Sequence, residues 1–383
     1  MRSLARPLFV LLLPALLPAC SDLGIGSGIS SMFESQPPIT IAVVGPTHGP
    51  YSGIGGELRA GVQQAEQDID AKGGLLGHVL TMRGADDPCD SKRAAGLAAG
   101  LVAEKVAVVV GHFCSVSSMA AAPVYGAANT LMISPASSSA ELTDAAAESG
   151  NTDVFRVVPR DDMQGAFLAG HILEHYPGAA IALVGDGTPY GRNVVASTRA
   201  ALVEKGVHPA ATETLHPDSD DFASVVARLK GHRIKVIVYG GYAQAGAKLL
   251  LEARKEGLTA AFGGGDALMS GEFAKVAGAD ANGTFMTSLP DPRSVPEAQH
   301  AIEALATFGL DAKGYTLYAY AAVQVFAEAA ERAKSLDTTA VAKALREGEF
   351  DTVLGPLSFD AKGDLKSPRY ALYVWQDGAA QKL

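Results

Sequence analysis

Residues 39–74 read ITIAVVGPTHGPYSGIGGELRAGVQQAEQDIDAKGG, and this stretch decides the fold. Its first six residues are mostly apolar and β-branched, which is typical of a buried strand. A loop rich in Gly and Pro follows, and Lys72-Gly73-Gly74 ends the segment after it. The apolar residues of that segment recur at helical spacing on one face: Leu58, Val62, Ala65 and Ile69. The stretch therefore predicts a strand, a loop and a helix in that order.

The same alternation continues along the chain. Further strands are predicted at HVLTMRG (78–84), VAVVVG (106–111), LMIS (131–134), IALVG (181–185) and VIVYGG (236–241). Helices are predicted at 90–104, 163–175, 191–205, 221–230, 243–256 and 314–334. Apolar strands that alternate with helices indicate an α/β fold with parallel sheets covered on both faces. In such sheets a ligand binds beyond the carboxyl ends of the strands.

Length and charge limit the class of protein. About 345 residues follow position 38, more than one core usually holds, so two lobes are expected. The chain has 31 Lys and Arg against 41 Asp and Glu, and loss of residues 1–20 with their two arginines would leave 29 minus 41, or −12. No basic cluster is present. This balance argues against nucleic-acid binding.

The N-terminus has the pattern of an export signal. Arg2 and Arg6 precede an apolar run, residues 8–17, that is too short to span a bilayer. The run ends in LLPAC, which resembles the bacterial lipobox, so we predict a signal peptide over 1–20 and a lipid anchor on Cys20, with plain secretion as the alternative. Residues 21–38 are rich in Gly and Ser and predict a flexible tether. The expected location is the periplasm or cell envelope.

The chain has three cysteines. If Cys20 carries a lipid, Cys89 and Cys114 remain as a pair in an oxidising compartment, where a disulfide is favoured. Two buried free thiols are the alternative.

Motifs for catalysis and metal binding are missing from the sequence. It contains no GxxxxGK[ST], HExxH or GxSxG motif and no complete dinucleotide fingerprint, and its nine histidines are scattered. We therefore expect a binding protein rather than an enzyme, without a metal or cofactor.

Polar residues after two neighbouring strands suit the carboxylate of an α-amino acid. Ser115 opens a predicted helix after VAVVVG, where free backbone N–H groups and hydroxyls can bind an anion. Residues 135–139 (PASSS) follow the next strand and can add a carbonyl and hydroxyls. The alternatives are that Ser115 or Ser117 only caps the helix and that PASSS is an ordinary polar loop.

Three other residues can complete such a site. Asp266, in a GGGD loop, offers a carboxylate to an ammonium group, although a lone Asp there can also be a helix cap or part of a solvated turn. Tyr190 and Tyr242 each stand beside a Gly at a strand end and can wall a side-chain pocket, with simple packing as the alternative.

The stretch that contains these candidate residues, 39–377, resembles the leucine/isoleucine/valine-binding family of type I periplasmic solute-binding proteins, which deliver amino acids to an ABC permease. The segments that carry the resemblance are IAVVGPTHGP (41–50), IDAKGG (69–74), DDPCD (86–90), GHFCS (111–115), ISPASSSAELT (133–143), GDGTPYGRN (185–193), VARLK (226–230), VIVYGGY (236–242) and DTVLGPLSFDAKGDLK (351–366).

The resemblance implies a disulfide between Cys89 and Cys114 and a set of ligand contacts. Ser115 and the Ser138 backbone would meet the carboxylate, while the Ala136 carbonyl, the Ser138 hydroxyl and Asp266 would meet the ammonium. The side-chain pocket would be lined by Phe113, Cys114, Ser137, Ile54, Tyr190 and Tyr242. Four residues depart from the family pattern: Asp266 replaces a Glu, Ile54 an aromatic residue, Phe113 a Leu and Ser137 an Ala.

The resemblance also implies two Rossmann-like lobes joined by a three-strand hinge. Lobe 1 would comprise residues 39–159 and 289–369, and lobe 2 residues 160–288 and 370–383. The leading hypothesis is a lipid-tethered receptor that closes around a branched-chain or other apolar amino acid and delivers it to an ABC permease. A sensory domain of the same fold for an amide or other solute is the second hypothesis, and a secreted enzyme is the third.

Overall fold

The first sheet begins with the stretch quoted above. The computed structural model describes residues 36–215 and 221–383, so the predicted signal peptide, Cys20 and the tether up to residue 35 lie outside the described residues. The elements of this part are β1 (Ile39–Gly45), α1 (Ser52–Asp70), β2 (Leu80–Asp86), α2 (Ser91–Ala103), β3 (Val108–Val110), α3 (Ser115–Ala127), β4 (Leu131–Ser134), α4 (Ala140–Glu148) and β5 (Val154–Arg156). The five strands are parallel, in the order β2-β1-β3-β4-β5.

The second sheet is built mainly by the next part of the chain. Its elements are α5 (Gln164–His175), β6 (Ile181–Gly185), α6 (Pro189–Glu204), β7 (Ala211–Thr214), α7 (Phe222–Gly231), β8 (Val236–Gly240), α8 (Ala243–Lys255), β9 (Ala261–Gly264), α9 (Gly271–Ala277) and β10 (Phe285–Ser288). These strands pair in parallel in the order β7-β6-β8-β9-β10. A short 3₁₀ helix, Asp266–Met269, lies between β9 and α9.

The rest of the chain returns to the first lobe and then ends in the second. The elements are α10 (Gln299–Thr307), α11 (Thr316–Ala333), α12 (Thr338–Glu347), β11 (Glu349–Thr352), β12 (Gly355–Ser358), β13 (Ala371–Gln376) and β14 (Ala379–Lys382). β11 and β12 form a hairpin, while β13 pairs antiparallel with β10 and β14 with β13. The chain therefore passes between the lobes three times: between β5 and α5, between β10 and α10, and between β12 and β13.

Each sheet is covered on both faces, as apolar parallel strands require. In the first lobe, α11 is almost wholly buried and packs with α1 on the core of that sheet. A Cβ atom at Gly61 in α1 would collide with the Thr316 carbonyl, so glycine at this position allows the two helices to approach closely. A separate cluster covers the opposite face, and the second sheet likewise has one cluster on each side.

The predicted α/β class with two sheet-bearing lobes is confirmed. The predicted strand at 78–84 lies two residues further along, at Leu80–Asp86, and the antiparallel strands β13 and β14 are additions to the predicted parallel sheets. The predicted lobe boundaries stay predictions. Within residues 36–215 and 221–383, no helix is both long and apolar enough to cross a membrane.

Candidate functional site

The loops at the carboxyl ends of the strands of both sheets meet around one small cavity. It is lined by Phe113, Ser115, Ala136, Ser138, Tyr190, Tyr242, Asp266, Ala267 and Tyr315. Seven of these nine residues are among the predicted site residues. The cavity measures about 20 Å³, roughly the room that one water molecule needs. A larger ligand therefore requires these side chains, or the lobes that carry them, to move apart.

The N-terminus of α3 forms one wall of this cavity. Its cap residue, Cys114, makes no side-chain capping bond, and the Ser115 hydroxyl instead accepts a hydrogen bond from the Ser139 N–H at 3.2 Å. Ser115 is therefore not the cap of this helix. Because the first N–H groups of a helix lack intrahelical partners and carry a partial positive charge, this wall can bind an anion.

A disulfide and a buried polar cluster fix the loop before α3. The predicted bond between Cys89 and Cys114 is present, with the two Cα atoms 5.4 Å apart. Beside it, the Asp87 carboxylate lies 2.7 Å from His112 Nδ1 and accepts a hydrogen bond of 3.0 Å from the Ser117 hydroxyl. Both Asp87 and His112 are buried. Ser117 therefore belongs to this supporting cluster, and the free-thiol alternative is wrong.

Asp266 supplies the charged group on the opposite wall. Its side chain is only 8 % exposed, so it is not part of a solvated turn. Oδ1 accepts hydrogen bonds from Gln164 Nε2 at 2.7 Å and from the Tyr190 hydroxyl at 2.8 Å. Burial raises the pKa of Asp266, and the two hydrogen bonds oppose that rise. The ionised carboxylate is thus costly here unless a positive charge comes close.

Glycine at position 265 allows Tyr190 to reach Asp266. A Cβ atom at Gly265 would collide with the Tyr190 hydroxyl oxygen and would lie 3.0 Å from Gln164 Oε1. Glycine is therefore required at position 265, because the carboxylate is approached closely there from α5 and α6.

Aromatic rings surround the remainder of the cavity. The Tyr190 and Tyr242 ring centroids are 5.3 Å apart, and the Phe113 ring lies 6.0 Å from Tyr242 and 5.5 Å from Tyr315. Tyr51 extends the cluster, with its ring 5.8 Å from Phe113. Burial raises the pKa of the tyrosine hydroxyls well above the ordinary value, so the rings are neutral. The wall is apolar with a few hydroxyl groups.

Three predicted site residues do not line the cavity. Cys114 is buried in the disulfide, and Ile54 is half-buried against the core of the first lobe. The Ser137 hydroxyl lies 2.7 Å from the Ser118 hydroxyl and donates to the carbonyls of His112 and Phe113. Its role in this structure is to hold the loop before α3.

Residues that sequence reasoning missed complete the site. Tyr315 and Ala267 line the cavity, Gln164 binds Asp266, and Tyr51 packs on the rings. Tyr51 belongs to the loop that follows the first predicted strand, and Ala267 directly follows the GGGD loop. Nothing in the pattern places Tyr315, because it comes from the distant start of α11.

Direct contacts between the lobes border the cavity. Asn193 Nδ2 in α6 donates to the Ser139 hydroxyl at 2.9 Å. Nearby, Arg192 lies 3.5 Å from Glu141, but both side chains are about half exposed, so this ion pair contributes little.

Within the part of the chain that the structure describes, the side chains that line the cavity include a negative charge and no positive one. Among the described residues that line it, none is Lys, Arg or His, and Asp266 is the single ionisable carboxyl. A larger groove of about 530 Å³ lies between α6 and β7, but it holds none of the predicted site residues. Within residues 36–215 and 221–383, no group of three or more His, Cys, Asp or Glu side chains can hold a metal ion.

Known proteins share this architecture. A family model described as periplasmic binding protein matches residues 38–380. The Leu/Ile/Val-binding protein homolog 1 of Brucella melitensis is 36% identical over 338 residues, which cover 88% of this chain and 90% of that protein. Two solved structures share the fold. The leucine-binding protein LivK of Thermotoga maritima has a TM-score of 0.81 at 24% identity, covering 90% of this chain and 97% of that one.

The second structure is a solute-binding protein of R. palustris in complex with benzoate. It has a TM-score of 0.78 at 17% identity and covers 90% of this chain and 95% of that one. The match over residues 38–380, together with the two lobes and the cavity between them, shows that this chain belongs to the periplasmic binding protein family.

Proposed function

We propose that this protein binds an apolar α-amino acid between its two lobes and passes it on unchanged. The observation that carries the proposal is the buried Asp266 carboxylate facing the N-terminus of α3 across a cavity that no cationic side chain of the described residues lines. An α-amino acid offers a positive and a negative charge on adjacent groups. Each would meet a group of opposite sign, which a desolvated charge requires.

The distribution of charge favours an amino acid over a simple carboxylic acid. The α3 N-terminus and its serines would bind either ligand, but only an ammonium group neutralises Asp266. A benzoate-like acid would leave the Asp266 carboxylate buried without a positive partner. An acid with a second carboxylate would also lack a cation in the described wall. These contrasts make the ammonium group the diagnostic part of the ligand.

The lining of the cavity supports an apolar side chain. The rings of Phe113, Tyr190, Tyr242 and Tyr315 surround it, and apolar contact with neutral rings favours an uncharged ligand side chain. The relatives named for leucine, isoleucine and valine make a branched-chain amino acid the first candidate. The predicted contacts of Ser115, Ala136 and Ser138 with the α-carboxylate and ammonium are part of this proposal.

Closure of the lobes would present the bound amino acid to an ABC permease outside the cytoplasm. The small cavity requires opening for entry, and the three chain crossings between the lobes provide a hinge. We also propose export by the signal over residues 1–20 and a lipid on Cys20. Fatty-acid labelling of cells expressing the protein tests the lipid, with Cys20→Ala as the control that should lose the label.

A thermal-shift screen tests the function directly. The protein without residues 1–20 is unfolded, freed of bound ligand and refolded, then screened against the twenty amino acids, amides, polyamines, benzoates and short organic acids. A ligand that binds only the native state raises Tm by mass action. We expect shifts with leucine, isoleucine, valine or phenylalanine, and recovery of the ligand unchanged. If no α-amino acid shifts Tm while an amide or another organic acid does, the proposal is refuted and a sensor of another solute is favoured.

A further inference from the structure

Gln164, the first residue of α5, uses the full hydrogen-bonding capacity of its side chain. Nε2 donates to Asp266 Oδ1 at 2.7 Å and to the Tyr370 hydroxyl at 3.3 Å. Oε1 accepts from the Asp266 backbone N–H at 3.0 Å and from the Thr287 hydroxyl. The side chain is fully buried. Because a primary amide has two donors and two acceptor positions, this arrangement fixes which way the amide faces.

Gln164 and its partners together lie at all three places where the chain passes between the lobes. Gln164 itself directly follows the first crossing. Thr287 is the last but one residue of β10, before the second crossing, and Tyr370 directly precedes β13, after the third. The Tyr370 hydroxyl also donates to the Pro159 carbonyl, in the first crossing, at 3.3 Å. One amide group therefore connects the three crossings to the carboxylate of the cavity.

We infer that Gln164 is a positioning residue that fixes the Asp266 carboxylate relative to the three crossings, so that ammonium binding and closure of the lobes are coupled. The inference rests on the proposed function. The side-chain donors of Gln164 and Tyr190 both reach Oδ1, so within the described part of the chain no side-chain donor holds Oδ2, which can face a ligand. Rotation of one lobe displaces the crossings and with them the hydroxyls that hold the amide. The carboxylate then loses the orientation that an ammonium group requires.

The test removes the hydroxyls that hold Gln164 and leaves its contacts with Asp266 in place. Thr287→Val deletes one partner and Tyr370→Phe another. Thr284→Val is the matched control, because Thr284 immediately precedes β10 and its buried hydroxyl has no hydrogen-bond partner among the described residues. L-leucine is the probe. Calorimetry gives Kd. Fluorescence of Trp375, the single Trp of the chain, reports changes in the Asp266–Met269 segment, since its indole N–H donates to the Leu268 carbonyl at 2.8 Å.

A double-mutant cycle separates positioning from general damage. Each of the three variants is also made in an Asp266→Asn background. We expect Thr287→Val and Tyr370→Phe to raise Kd at least about threefold in the wild-type background and by less than about 1.5-fold in the Asp266→Asn background, because coupled residues are not additive. Thr284→Val should stay within about 1.5-fold in both backgrounds.

Two results would overturn the inference about Gln164 and leave the proposed function standing. One is equal behaviour of Thr287→Val, Tyr370→Phe and the control while the wild-type protein binds L-leucine. The other is the same loss of affinity with and without the Asp266 carboxylate, which would show a purely structural role. If the wild-type protein binds no L-leucine, the proposed function fails first and the inference falls with it. If Thr287→Val or Tyr370→Phe does not fold, its thermal unfolding curve shows this, and the affinity of the other variant then tests the inference.

Discussion

Replacing Asp266 with Asn is the most direct test of the ammonium site. The two side chains have nearly the same shape, and Asn keeps an oxygen that can accept from Gln164 and from the Tyr190 hydroxyl, the two groups that now reach Oδ1. The change removes the negative charge and replaces Oδ2, which can face a ligand, by an amide NH2 group that cannot accept from an ammonium. Any loss of binding can then be assigned to the lost carboxylate and not to a rearranged loop.

The size of the loss follows from the burial of the carboxylate. Asp266 is 8 % exposed, so its interaction with an ammonium is weakly screened by water. A hydrogen bond to a charged group contributes about 1.5–3 kcal/mol, which corresponds to roughly 10- to 150-fold in Kd. We therefore expect Asp266→Asn to weaken L-leucine binding by at least about tenfold. Asp266→Ala should lose at least as much, because it also leaves Gln164 and Tyr190 without their acceptor.

Stability should change in the opposite direction to affinity. The pKa of Asp266 is raised in the folded protein, so this group adds stability below the ordinary carboxyl pKa and loses that contribution as pH rises through the raised value. At neutral pH the ionised carboxylate therefore destabilises the ligand-free protein. Asp266→Asn removes this destabilising charge, and we expect the Tm of the variant without ligand to equal or exceed that of the wild type.

The assay is calorimetric titration with L-leucine beside thermal unfolding of the ligand-free protein. L-valine and L-isoleucine serve as further ligands, and Thr284→Val is a control that leaves the cavity untouched. Unchanged affinity in Asp266→Asn would refute the ammonium site. A fall in affinity accompanied by a large fall in Tm would also refute the reasoning, because it would show that the carboxylate serves the fold.

Further predictions concern pH, the disulfide and the contact between lobes. L-leucine affinity should fall as pH is lowered through the raised pKa of Asp266, because the neutral acid no longer balances the ammonium; titrations from pH 7 downward should show this in the wild type and not in Asp266→Asn. Replacing Cys89 and Cys114 by Ala should lower the free energy of unfolding by about 3.5 kcal/mol in denaturant titrations, from the separation of 25 residues; no change would contradict the loop-entropy argument. Asn193→Ala removes the bond to Ser139 and should raise Kd about two- to tenfold with Tm unchanged, whereas an unchanged Kd would show that this bond does not stabilise the closed lobes.

The sequence could predict the parts of the fold that local pattern controls. Buried parallel strands are short apolar runs, so LMIS and IALVG correspond residue by residue to β4 and β6. The edge strand β7 reads ATET and alternates between half-buried and exposed residues, so it lacks the apolar signal. β13 and β14 were missed for another reason. β13 joins the second sheet by pairing with β10, more than 80 residues earlier, and β14 joins it by pairing with β13; periodicity does not encode the long-range pairing.

The candidate site shows the same division. Ser115, Tyr190 and Asp266 follow strand ends, so a general rule for parallel sheets brings them together. Ser137 has the same local signal but turns into the loop before α3, because its hydroxyl finds the carbonyls of His112 and Phe113 there. Sequence position fixes which loop a residue belongs to. It does not fix which side of the loop a side chain occupies.

The least predictable feature is also the one with the clearest consequence for mechanism. A buried carboxylate with a raised pKa is unfavourable by itself, yet Gln164 and Tyr190 both orient it toward a cavity with room for about one water. Such an arrangement is stabilised when an ammonium group arrives. Because the same amide follows the first crossing and binds residues at the other two, the free energy gained at Asp266 can favour one arrangement of the lobes over another. A ligand without the ammonium group would bind the wall of the cavity and gain no such preference, which would make lobe closure selective for amino acids.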